Sequence, residues 1–562
     1  MRKHVVVIGG GITGLAAAYR LQRTARTQGL PLDITLYEAE GRLGGKLHTI
    51  RDGEFVIEAG PDSFLASKPQ ALALCAELGL GERLIGTNVA QRRTFIYSRG
   101  RLHDLPEGFS GLVPGRVGPL MRSALVSPLG KARLLLDLVL PPRPPDGDEP
   151  VATFMRRRLG REAFDRLIEP LMSGIYAGDA ERLSLAATFP QLREMELAHG
   201  GLLRGVTGQK TNSLTRKRKG GTRNFGKFTA AGDAKKNEVG NPATGQILGG
   251  SASLNTAPQL GRGRRFAEEG NEGEGSVRAA LAPPKWTGFV SLRGGMGQMV
   301  EVLERQLDCA VRTGCAVESI ARSEGGWVVR AAGETVEADA IIVATPAYAT
   351  AALLEPLDVH LAELLRAIPH GSTATVSLAF RQAEPRAGSA NGPRTSGSDA
   401  GHGNTVGAAG TAIDAPIGFG FVVPSIERRP LLACTFVSNK FAGRAPAGVA
   451  LIRCFIGRVG SEQLLAQDDA ALVALARSEL KVILGIVAEP LWARVFRWER
   501  GMPQYNLGHL ARVEQIEDLL AAQPGLFTAG AAYRGVGIPD CIRSGEEAAK
   551  RAMQFLFHSC TS

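Results

Sequence analysis

Three glycines near the N-terminus have the spacing of a phosphate-binding turn. Gly9, Gly11 and Gly14 form GxGxxG between an apolar strand, HVVVIGG, and an apolar-faced helix, GITGLAAAYRLQRTA. Glycines at this spacing allow a tight bend, close approach of backbone to a pyrophosphate, and close packing of the helix on the strand. The helix N-terminus adds unpaired N–H groups and a positive dipole end. We therefore predict dinucleotide contacts at Gly9, Gly10, Gly11, Ile12, Thr13 and Gly14.

An acid follows at the end of the next predicted strand. LDITLYE ends at Glu38, 24 residues after Gly14, where a carboxylate can accept hydrogen bonds from ribose hydroxyls. Strand, helix and strand form a βαβ unit. NAD and FAD both bind to such a unit, so the choice between them depends on the residues that follow.

The residues after Glu38 have the pattern ExxxRxGG. This pattern resembles the extended signature of the amine-oxidase-like flavoproteins, and the resemblance implies FAD as the cofactor. It implies that the acid holds the adenosine ribose, while the arginine and the glycine turn serve the pyrophosphate and the flavin end. The residues implied are Glu38, Ala39, Arg42, Gly44, Gly45 and Lys46. The segment EAGPDS, residues 58–63, is similar to the one that lies under the isoalloxazine in this superfamily, which implies contacts from Ala59, Gly60, Pro61 and Asp62.

Two later regions return to the same nucleotide domain. The segment VRTGCAVESIARSEGGWVV predicts strands of a second sheet, and the resemblance implies an adenine contact at Val317, which is otherwise an ordinary strand residue. Near the C-terminus, small residues precede a helix predicted from Ile542, whose dipole can stabilise negative charge on a reduced flavin. The contacts predicted there are Gly530, Ala531, Val536, Gly537 and Ile538; the alternative is a turn with a packing role alone.

At the level of family, the chain resembles the oxygen-dependent protoporphyrinogen oxidases. The motifs that carry the resemblance are AGPDSF (59–64), GIYAGDAERLSL (174–185), LRGGM (292–296), FAGRAP (441–446), RWERGMPQYNLGH (497–509) and AGAAYRGVGIPDCIRSG (529–545). The resemblance implies that FAD removes six electrons from protoporphyrinogen IX in three two-electron steps and passes them to dioxygen, giving hydrogen peroxide. Such chemistry needs orientation and electrostatics more than acid–base groups.

The same resemblance implies roles for individual residues. Gly174 falls where the family has a glycine whose carbonyl faces the reacting ring. Arg92, Arg93 and Lys68 fall where cations contact substrate carboxylates; the alternative is that they are solvated surface side chains. Trp498 and Tyr505 fall in the segment that flanks the flavin, or are buried aromatics without such a role. Since Ala531 and Ala532 stand where a covalent-flavin subgroup has its cysteine, we predict non-covalent FAD.

Composition and charge limit the remaining function classes. Of the net charge of +11, much falls in residues 205–285, which hold 14 Lys and Arg, 6 Asp and Glu and 15 glycines. Such a segment predicts a disordered insertion without a partner rather than a basic folded face, so no nucleic acid is expected; the alternative is an electrostatic contact with anionic lipid or RNA. Residues 383–412 predict a second loop. The seven dispersed cysteines contain no CxxC pair, so we expect neither a disulfide framework nor a metal site, and a reducing compartment.

Membrane contact is predicted at one segment, without a span. Residues 107–142 interleave apolar residues with arginines and a lysine, which suits a surface that enters the headgroup region; the alternative is a helical hairpin packed in the core. The longest apolar run, residues 340–354, is too short to cross a bilayer. The apolar run at residues 5–8 lacks a cleavage site, so no signal peptide is expected. We predict a cytoplasmic protein, peripheral on the inner face of the cell membrane.

Together these features predict an α/β chain with a discontinuous Rossmann-like FAD-binding domain, a mixed-sheet substrate domain and a helical membrane-associated subdomain. The predicted boundaries are 1–91, 286–347 and 497–562 for the FAD domain, 92–204 for the helical subdomain and 348–496 for the substrate domain. A homodimer and transfer of product to a chelatase are further possibilities. Three alternatives stay open: coproporphyrinogen III oxidation, an amine oxidase or carotenoid desaturase, and a non-catalytic tetrapyrrole carrier that retains FAD.

Overall fold

The computed structural model describes residues 2–110, 112–114, 116–144, 147–206, 286, 288–384, 412–414 and 416–557. One compact unit, formed by residues 1–210 and 285–562, contains all of the elements given below. The predicted insertion 205–285 and the predicted loop 383–412 lie outside the described residues, except at 205–206, 383–384 and 412.

The described strands and helices occur in groups along the chain, and the helices of residues 117–199 follow one another without an intervening strand. The strands are β1 Lys3–Ile8, β2 Leu32–Tyr37, β3 Thr49–Asp52, β4 Phe55–Glu58, β5 Phe64–Leu65, β6 Leu84–Gly86, β7 Thr94–Ser98, β8 Arg101–Asp104, β9 Phe109–Ser110, β10 Val113–Pro114, β11 Phe289–Leu292, β12 Ala310–Arg312, β13 Val317–Ser323, β14 Gly326–Ala331, β15 Glu334–Ala338, β16 Ala340–Val343, β17 His370–Arg381, β18 Gly420–Val422, β19 Leu431–Phe436, β20 Val449–Ile456, β21 Trp492–Pro503 and β22 Leu526–Thr528. The helices are α1 Ile12–Gln28, α2 Pro69–Glu77, α3 Val117–Arg122, α4 Pro128–Leu135, α5 Val151–Leu159, α6 Arg161–Ala163, α7 Glu169–Tyr176, α8 Leu185–Thr188, α9 Pro190–His199, α10 Gly297–Gln306, α11 Ala347–Leu354, α12 Val359–Arg366, α13 Val437–Lys440, α14 Asp469–Leu484, α15 His509–Ala521 and α16 Ile538–Phe557.

A five-stranded parallel sheet gathers segments from both ends and the middle of the chain. Its strand order is β12-β2-β1-β16-β22. Its central strand, β1, has Val5, Val6 and Val7 fully buried, as expected for a parallel strand covered on both faces. The nucleotide sheet is therefore assembled from pieces of chain several hundred residues apart, and the predicted discontinuous Rossmann-like fold is confirmed.

Helices α1 and α16 pack together on one face of this sheet. A Cβ built at Gly545 of α16 would lie 2.2 Å from the Thr13 carbonyl oxygen of α1. Only glycine allows the two helices to come this close. The N-terminal turn of α1 therefore lies against the third turn of α16.

A second, mixed sheet has the strand order β21-β17-β20-β19-β18-β7-β8. Its pairs are antiparallel except β7 with β18, which is parallel. The sheet takes β7 and β8 from the segment that sequence reasoning gave to the helical subdomain. These two strands are short, and pairing across more than 300 residues leaves no trace in local periodicity, so sequence alone did not reveal it.

The segment from α3 to α9 forms a helical region with its own apolar core, which includes Phe154, Phe164 and Leu192. Arg158 lies in this core at 0% exposure and is paired with Asp137, with Nε to Oδ1 at 2.5 Å. Among the described residues, no helix is both long and apolar enough to cross a membrane.

Candidate active site

The glycine turn between β1 and α1 is shaped by contacts that exclude side chains. Gly9 has a φ of +106°, and a Cβ built there would lie 2.9 Å from the Ala344 carbonyl oxygen. A Cβ at Gly14 would lie 1.9 Å from the Gly9 carbonyl oxygen. At Gly11, by contrast, a built Cβ meets no atom of the described residues within 4 Å. Gly9 and Gly14 are therefore required by the fold of the turn, whereas Gly11 faces open space at the N-terminus of α1.

Glu38 lies beside this turn, at the end of β2. Its carboxylate accepts hydrogen bonds from the N–H groups of Gly10, at 2.6 Å, and Glu40, at 2.8 Å. Two further backbone bonds, Cys315 N–H to Glu38 O at 2.9 Å and Gly314 N–H to Glu40 O at 2.8 Å, bring the segment before β13 alongside. Glu38 thus connects the glycine turn to the strand that begins at Val317, with Ala39 between the two bonded residues.

The second glycine turn packs against the first. Gly44 N–H donates to the Gly10 carbonyl oxygen at 2.8 Å, and a Cβ at Gly45 would lie 3.3 Å from Gly11 Cα. Arg42 donates through Nη2 to the Gly45 carbonyl oxygen at 2.8 Å, so its guanidinium supports the turn itself. Lys46 is exposed, yet the protein around it lowers the pKa of its ammonium by desolvation. Lys46 is therefore accessible to solvent and partly shielded by the surrounding protein.

Residues 59–62 lie between the mixed sheet and the second glycine turn and contact both. The Trp498 indole donates through Nε1 to the Ala59 carbonyl oxygen at 2.9 Å. A Cβ at Gly60 would lie 2.0 Å from the Lys46 carbonyl oxygen, so this loop packs directly on the second glycine turn. The Asp62 carboxylate, next to Pro61, is bound by Lys440 and Arg453 at 3.0 Å each. These cations hold the pKa of Asp62 well below its usual range although burial opposes them.

The C-terminal turn, residues 529–537, is held by an aromatic pair. The Tyr505 hydroxyl donates to the Ala531 carbonyl oxygen at 2.6 Å and accepts from Gly535 N–H at 2.7 Å. Its ring stacks on His509, with centroids 4.0 Å apart and planes at 13°. A Cβ built at Gly530 meets nothing within 4 Å, as at Gly11.

Helix α16 begins at Ile538, directly after Val536 and Gly537. The Asp540 carboxylate accepts from Gly537 N–H at 3.3 Å, which caps the start of the helix. Gly11 directly precedes α1, and the Gly530 N–H group donates to Ser544 Oγ of α16 at 3.0 Å. Among the described residues, both glycines face open space. This arrangement fits a dinucleotide, because its phosphates need close backbone approach and helix N-termini.

The predicted substrate residues differ in how much of their charge is already paired. Arg93 binds Asp104 through two bonds, Nε to Oδ1 at 3.0 Å and Nη2 to Oδ2 at 2.9 Å. Lys68 binds Asp540, Nζ to Oδ2 at 2.5 Å. Arg92 is exposed and has no hydrogen-bond or ionic partner among the described residues. Of the three cations, Arg92 alone offers an uncommitted charge.

Gly174 lies in the last turn of α7 and is exposed. The nearest atom to a Cβ built there is Val422 Cγ1, at 3.9 Å. In the described part of the chain no N–H group donates to its carbonyl oxygen, as is common for the final carbonyls of a helix. The carbonyl is therefore available to a ligand.

Sequence reasoning missed three residues that hold the 59–62 backbone. Thr375, Lys440 and Arg453 all contact this segment or its Asp62 side chain. A signal was present for Arg453, because it is the one charged residue in the apolar strand VALIRCFI, and a charge in such a strand needs a buried partner. Nothing in the sequence indicated which partner.

Comparison with known proteins decides the family. The family model described as flavin containing amine oxidoreductase matches residues 12–553. The chain belongs to this family. It is therefore an oxidoreductase, and the predicted flavin cofactor, FAD, is confirmed.

Individual relatives narrow the resemblance further. The coproporphyrinogen III oxidase of Bacillus subtilis (strain 168) is 32% identical, with 99% of both chains covered. The protoporphyrinogen oxidase of Bos taurus is 30% identical over 98% of this chain and 99% of its own. A crystal structure of an Exiguobacterium sp. 255-15 protein, provisionally named protoporphyrinogen oxidase, matches with a TM-score of 0.73 at 29% identity, covering 98% of each chain. The resemblance to porphyrinogen oxidases is thus confirmed over nearly the whole chain.

Proposed function

We propose that this flavoprotein oxidises a porphyrinogen to the porphyrin, removing six electrons in three two-electron steps and passing them to dioxygen with release of hydrogen peroxide. The observation that carries the proposal is the end-to-end similarity to porphyrinogen oxidases at 30% and 32% identity. The site geometry agrees with it, because the described residues provide the glycine turns and helix N-termini that a dinucleotide needs, and a bound flavin can accept a hydride from carbon.

In this proposal the two chain ends and the middle of the chain hold FAD. The residues assigned to the cofactor are Gly9, Gly10, Gly11, Ile12, Thr13, Gly14, Glu38, Ala39, Arg42, Gly44, Gly45, Lys46, Ala59, Gly60, Pro61, Asp62, Val317, Trp498, Gly530, Ala531, Val536, Gly537 and Ile538. When bound, FAD supplies the two-electron acceptor. The Asp62 carboxylate is taken up by Lys440 and Arg453, so its segment contributes backbone rather than a side-chain charge.

We assign the substrate carboxylates first to Arg92, because its charge is uncommitted. Arg93 and Lys68 contribute only if they leave Asp104 and Asp540, to which they are already bound. The free carbonyl oxygen of Gly174 is assigned to the substrate side, where an acceptor can bind a pyrrole N–H or a departing proton.

The substrate is either protoporphyrinogen IX, which the sequence put first, or coproporphyrinogen III. The similarity to the Bacillus subtilis enzyme over 99% of both chains favours coproporphyrinogen III as the second candidate. We expect anaerobic mixing with the true substrate to bleach the flavin absorbance within seconds, and admission of air to restore it. The other porphyrinogen should bleach it more slowly. A flavin that stays oxidised with both would contradict the proposal and support the non-catalytic carrier.

We also propose that FAD is bound without a covalent bond. The residues of the C-terminal turn at this point are Ala531 and Ala532, which carry no nucleophile, and burial raises the pKa of the Cys541 thiol to about 11. Acid precipitation of the purified holoprotein should leave all of the yellow colour in the supernatant. Colour retained in the pellet would contradict this part of the proposal.

Peripheral membrane contact is proposed for the surface of α4 and the turn that follows it. Leu129 is 84% exposed and Val139 68% exposed, and Lys131 lies on the same helix. Exposed apolar side chains beside a cation suit the headgroup region of an anionic bilayer. Flotation with anionic liposomes should recover the native protein, and a Leu129→Ser, Val139→Ser variant should remain at the bottom. Equal flotation of the two proteins would argue against this surface. Cytoplasmic location, a homodimer and transfer to a chelatase stay predictions.

A further inference from the structure

Three successive backbone carbonyls in the segment 58–60 are each bound by a side chain from the mixed sheet. Arg453 donates through Nη1 to the carbonyl oxygens of Glu58, at 3.0 Å, and Gly60, at 2.9 Å. The Ala59 carbonyl oxygen between them accepts from Trp498 Nε1 at 2.9 Å and from Thr375 Oγ1 at 3.3 Å. Each carbonyl in this segment is therefore fixed by a group that is distant in sequence.

The three donors come from three neighbouring strands. Thr375 lies on β17, Arg453 on β20 and Trp498 on β21, and β17 pairs with both of the others. The register places Arg453 opposite Ser377 and Trp498 opposite Thr373. Thr373, Thr375 and Ser377 alternate along one face of β17. Side chains on one face of the mixed sheet thus bind the backbone of residues 58–60.

Arg453 is anchored at a further point. Its Nη2 lies 3.0 Å from Asp62 Oδ2, and Lys440 binds the same carboxylate. The Arg453 side chain is buried, where a charge–hydrogen-bond network is strong and costly to break. The guanidinium cannot shift without losing bonds to both ends of the loop 58–62.

The fixed carbonyls determine where the Gly60 N–H group points. In a trans peptide the C=O of one residue and the N–H of the next point in opposite directions. Because the Ala59 carbonyl faces the mixed sheet, the Gly60 N–H faces away from it. Among the described residues no acceptor binds this N–H. It is a polar group held in place and left unpaired.

We propose that Arg453 is a positioning residue for the flavin: with Thr375 and Trp498 it fixes the 58–60 carbonyls so that the Gly60 N–H is presented to the bound cofactor. A fixed N–H donor stabilises a reduced, electron-rich flavin more than an oxidised one, since it needs no reorganisation when charge develops. Arg453 therefore raises the reduction potential without touching the cofactor. The inference needs a bound flavin, but it does not depend on which substrate is oxidised.

The test measures the two-electron midpoint potential of the bound FAD against a reference dye, and the affinity for oxidised FAD. In Arg453→Met we expect the ratio of reduced-FAD to oxidised-FAD affinity to fall about tenfold, which lowers a two-electron potential by about 30 mV. Arg453→Lys keeps a positive charge near Asp62, but it has one nitrogen in place of the two that bind the carbonyls and Asp62. It should therefore give a smaller fall than Arg453→Met. Thr375→Val should shift the ratio in the same direction by about twofold, because it loses one long hydrogen bond.

The matched control is Arg429→Met. Arg429 also forms a two-bond ion pair, with Glu479 at 2.7 and 3.0 Å, but it makes no contact with the loop 58–62. It should lose stability and keep the native potential. Thr375→Val decides the matter if Arg453→Met does not fold. An unchanged potential in Thr375→Val and Arg453→Lys, with stability lowered, would overturn the proposal. Failure of the native protein to oxidise porphyrinogens would leave this inference intact, because the dye titration uses no porphyrinogen.

Discussion

The glycine turn 9–14 and the loop 58–62 are both predicted to lie against the cofactor, yet they are held in different ways. The turn is fixed by steric contact with backbone carbonyls: that of Gly9 excludes a side chain at Gly14, and that of Ala344 excludes one at Gly9. The loop is fixed by side chains from the far end of the chain: Arg453 lies 393 residues from Gly60. The first arrangement is steric and its tightest contact, between Gly14 and Gly9, is local, whereas the second is electrostatic and depends on side chains that are distant in sequence.

This difference determines which substitutions and pH changes should disrupt each region. A steric arrangement tolerates no added atom at its contact points and is indifferent to pH. A network of buried charges tolerates changes in shape but depends on the charge of each member. Substitutions of matched size in the two regions should therefore separate them.

The largest effect is expected in the turn, for Gly14→Ala. The new Cβ would lie 1.9 Å from the Gly9 carbonyl oxygen, so strand and helix must move apart. We expect FAD affinity to fall by roughly 100-fold, about 3 kcal/mol, together with a lower Tm of the apoprotein. Isothermal titration with FAD and thermal melts measure the two quantities.

Gly11→Ala is the matched control within the same turn. Its built Cβ meets no protein atom within 4 Å and its φ is −68°, so the apoprotein should melt as the native protein does. Its FAD affinity should still fall, because the open space at Gly11 is where a pyrophosphate would approach. Equal melting temperatures for Gly11→Ala and Gly14→Ala would show that steric contact does not hold the turn.

In the loop we expect Asp62→Asn to lower the free energy of unfolding by about 3 kcal/mol at pH 7, because Lys440 and Arg453 lose the charge that they share. The folded pKa of Asp62 is depressed, so its contribution is fully present above the unfolded pKa, about 3.9. It is lost as the pH falls through the lower folded value. The difference between native and variant protein in urea melts should therefore shrink below about pH 4.

Asp104→Asn is the control for an exposed pair. Asp104 binds Arg93 through two bonds, but both side chains are more than half exposed, so we expect a loss below about 1 kcal/mol. If Asp62→Asn lowers the free energy of unfolding no more than Asp104→Asn does, the buried charges around Asp62 do not stabilise the loop as we expect.

The C-terminal turn is held by the hydroxyl of Tyr505, whose ring stacks on His509, and it should respond to pH through His509. The ring is fully buried, and its Nε2 lies 2.8 Å from the Tyr533 carbonyl oxygen. Burial lowers the pKa of His509 to about 4; the hydrogen bond to the Tyr533 carbonyl oxygen opposes this shift, and Arg512 and Arg534 add to it. Between pH 6.5 and 4 the His509 ring binds a proton in the unfolded chain but not in the folded protein. The free energy of unfolding therefore falls as the pH decreases through this window. The full contribution is at most roughly 3 kcal/mol.

His509→Phe keeps a ring against Tyr505 and removes the titration. We expect the free energy of unfolding to vary less between pH 6.5 and 4 than in the native protein, while His370, with a pKa also lowered to about 4 by burial, preserves part of the dependence. The control His360→Phe replaces an exposed ring and should leave the native pH dependence intact. If the free energy of unfolding of His509→Phe varies with pH as it does in the native protein, His509 does not cause the pH dependence.

The same contrast explains how much the sequence could predict. The βαβ unit was predictable because its glycines, its apolar strand and Glu38 act on residues near them in the chain. The donors to the loop were not, because Arg453 reveals only that an apolar strand contains a charge. The order of the mixed sheet, with β7 beside β18, depends on pairing between residues 94–98 and 420–422, which periodicity does not encode.

For the predicted substrate cations, too, the sequence does not reveal partners that are distant along the chain. Sequence identified Lys68 and Arg93 as positive charges near the expected pocket, but not the acids that neutralise them. Asp540 is 472 residues from Lys68, and the chain gives no sign that they meet. A cation alone in sequence is therefore weak support for a ligand contact until its partners in the fold are known.

The smallest effect is expected for Lys68→Ala, which tests whether this lysine belongs to the fold or to the substrate. Lys68 is 45% exposed and its partner Asp540 is 10% exposed, so the ion pair should contribute about 1 kcal/mol or less. If the pair is structural, porphyrinogen KM should stay within about twofold of the native value while unfolding becomes slightly easier. Arg92→Ala, whose charge has no partner among the described residues, should instead raise KM and leave stability unchanged. A reversal of these two results would make Lys68 the substrate contact, and it would mean that the ion pair with Asp540 opens during binding.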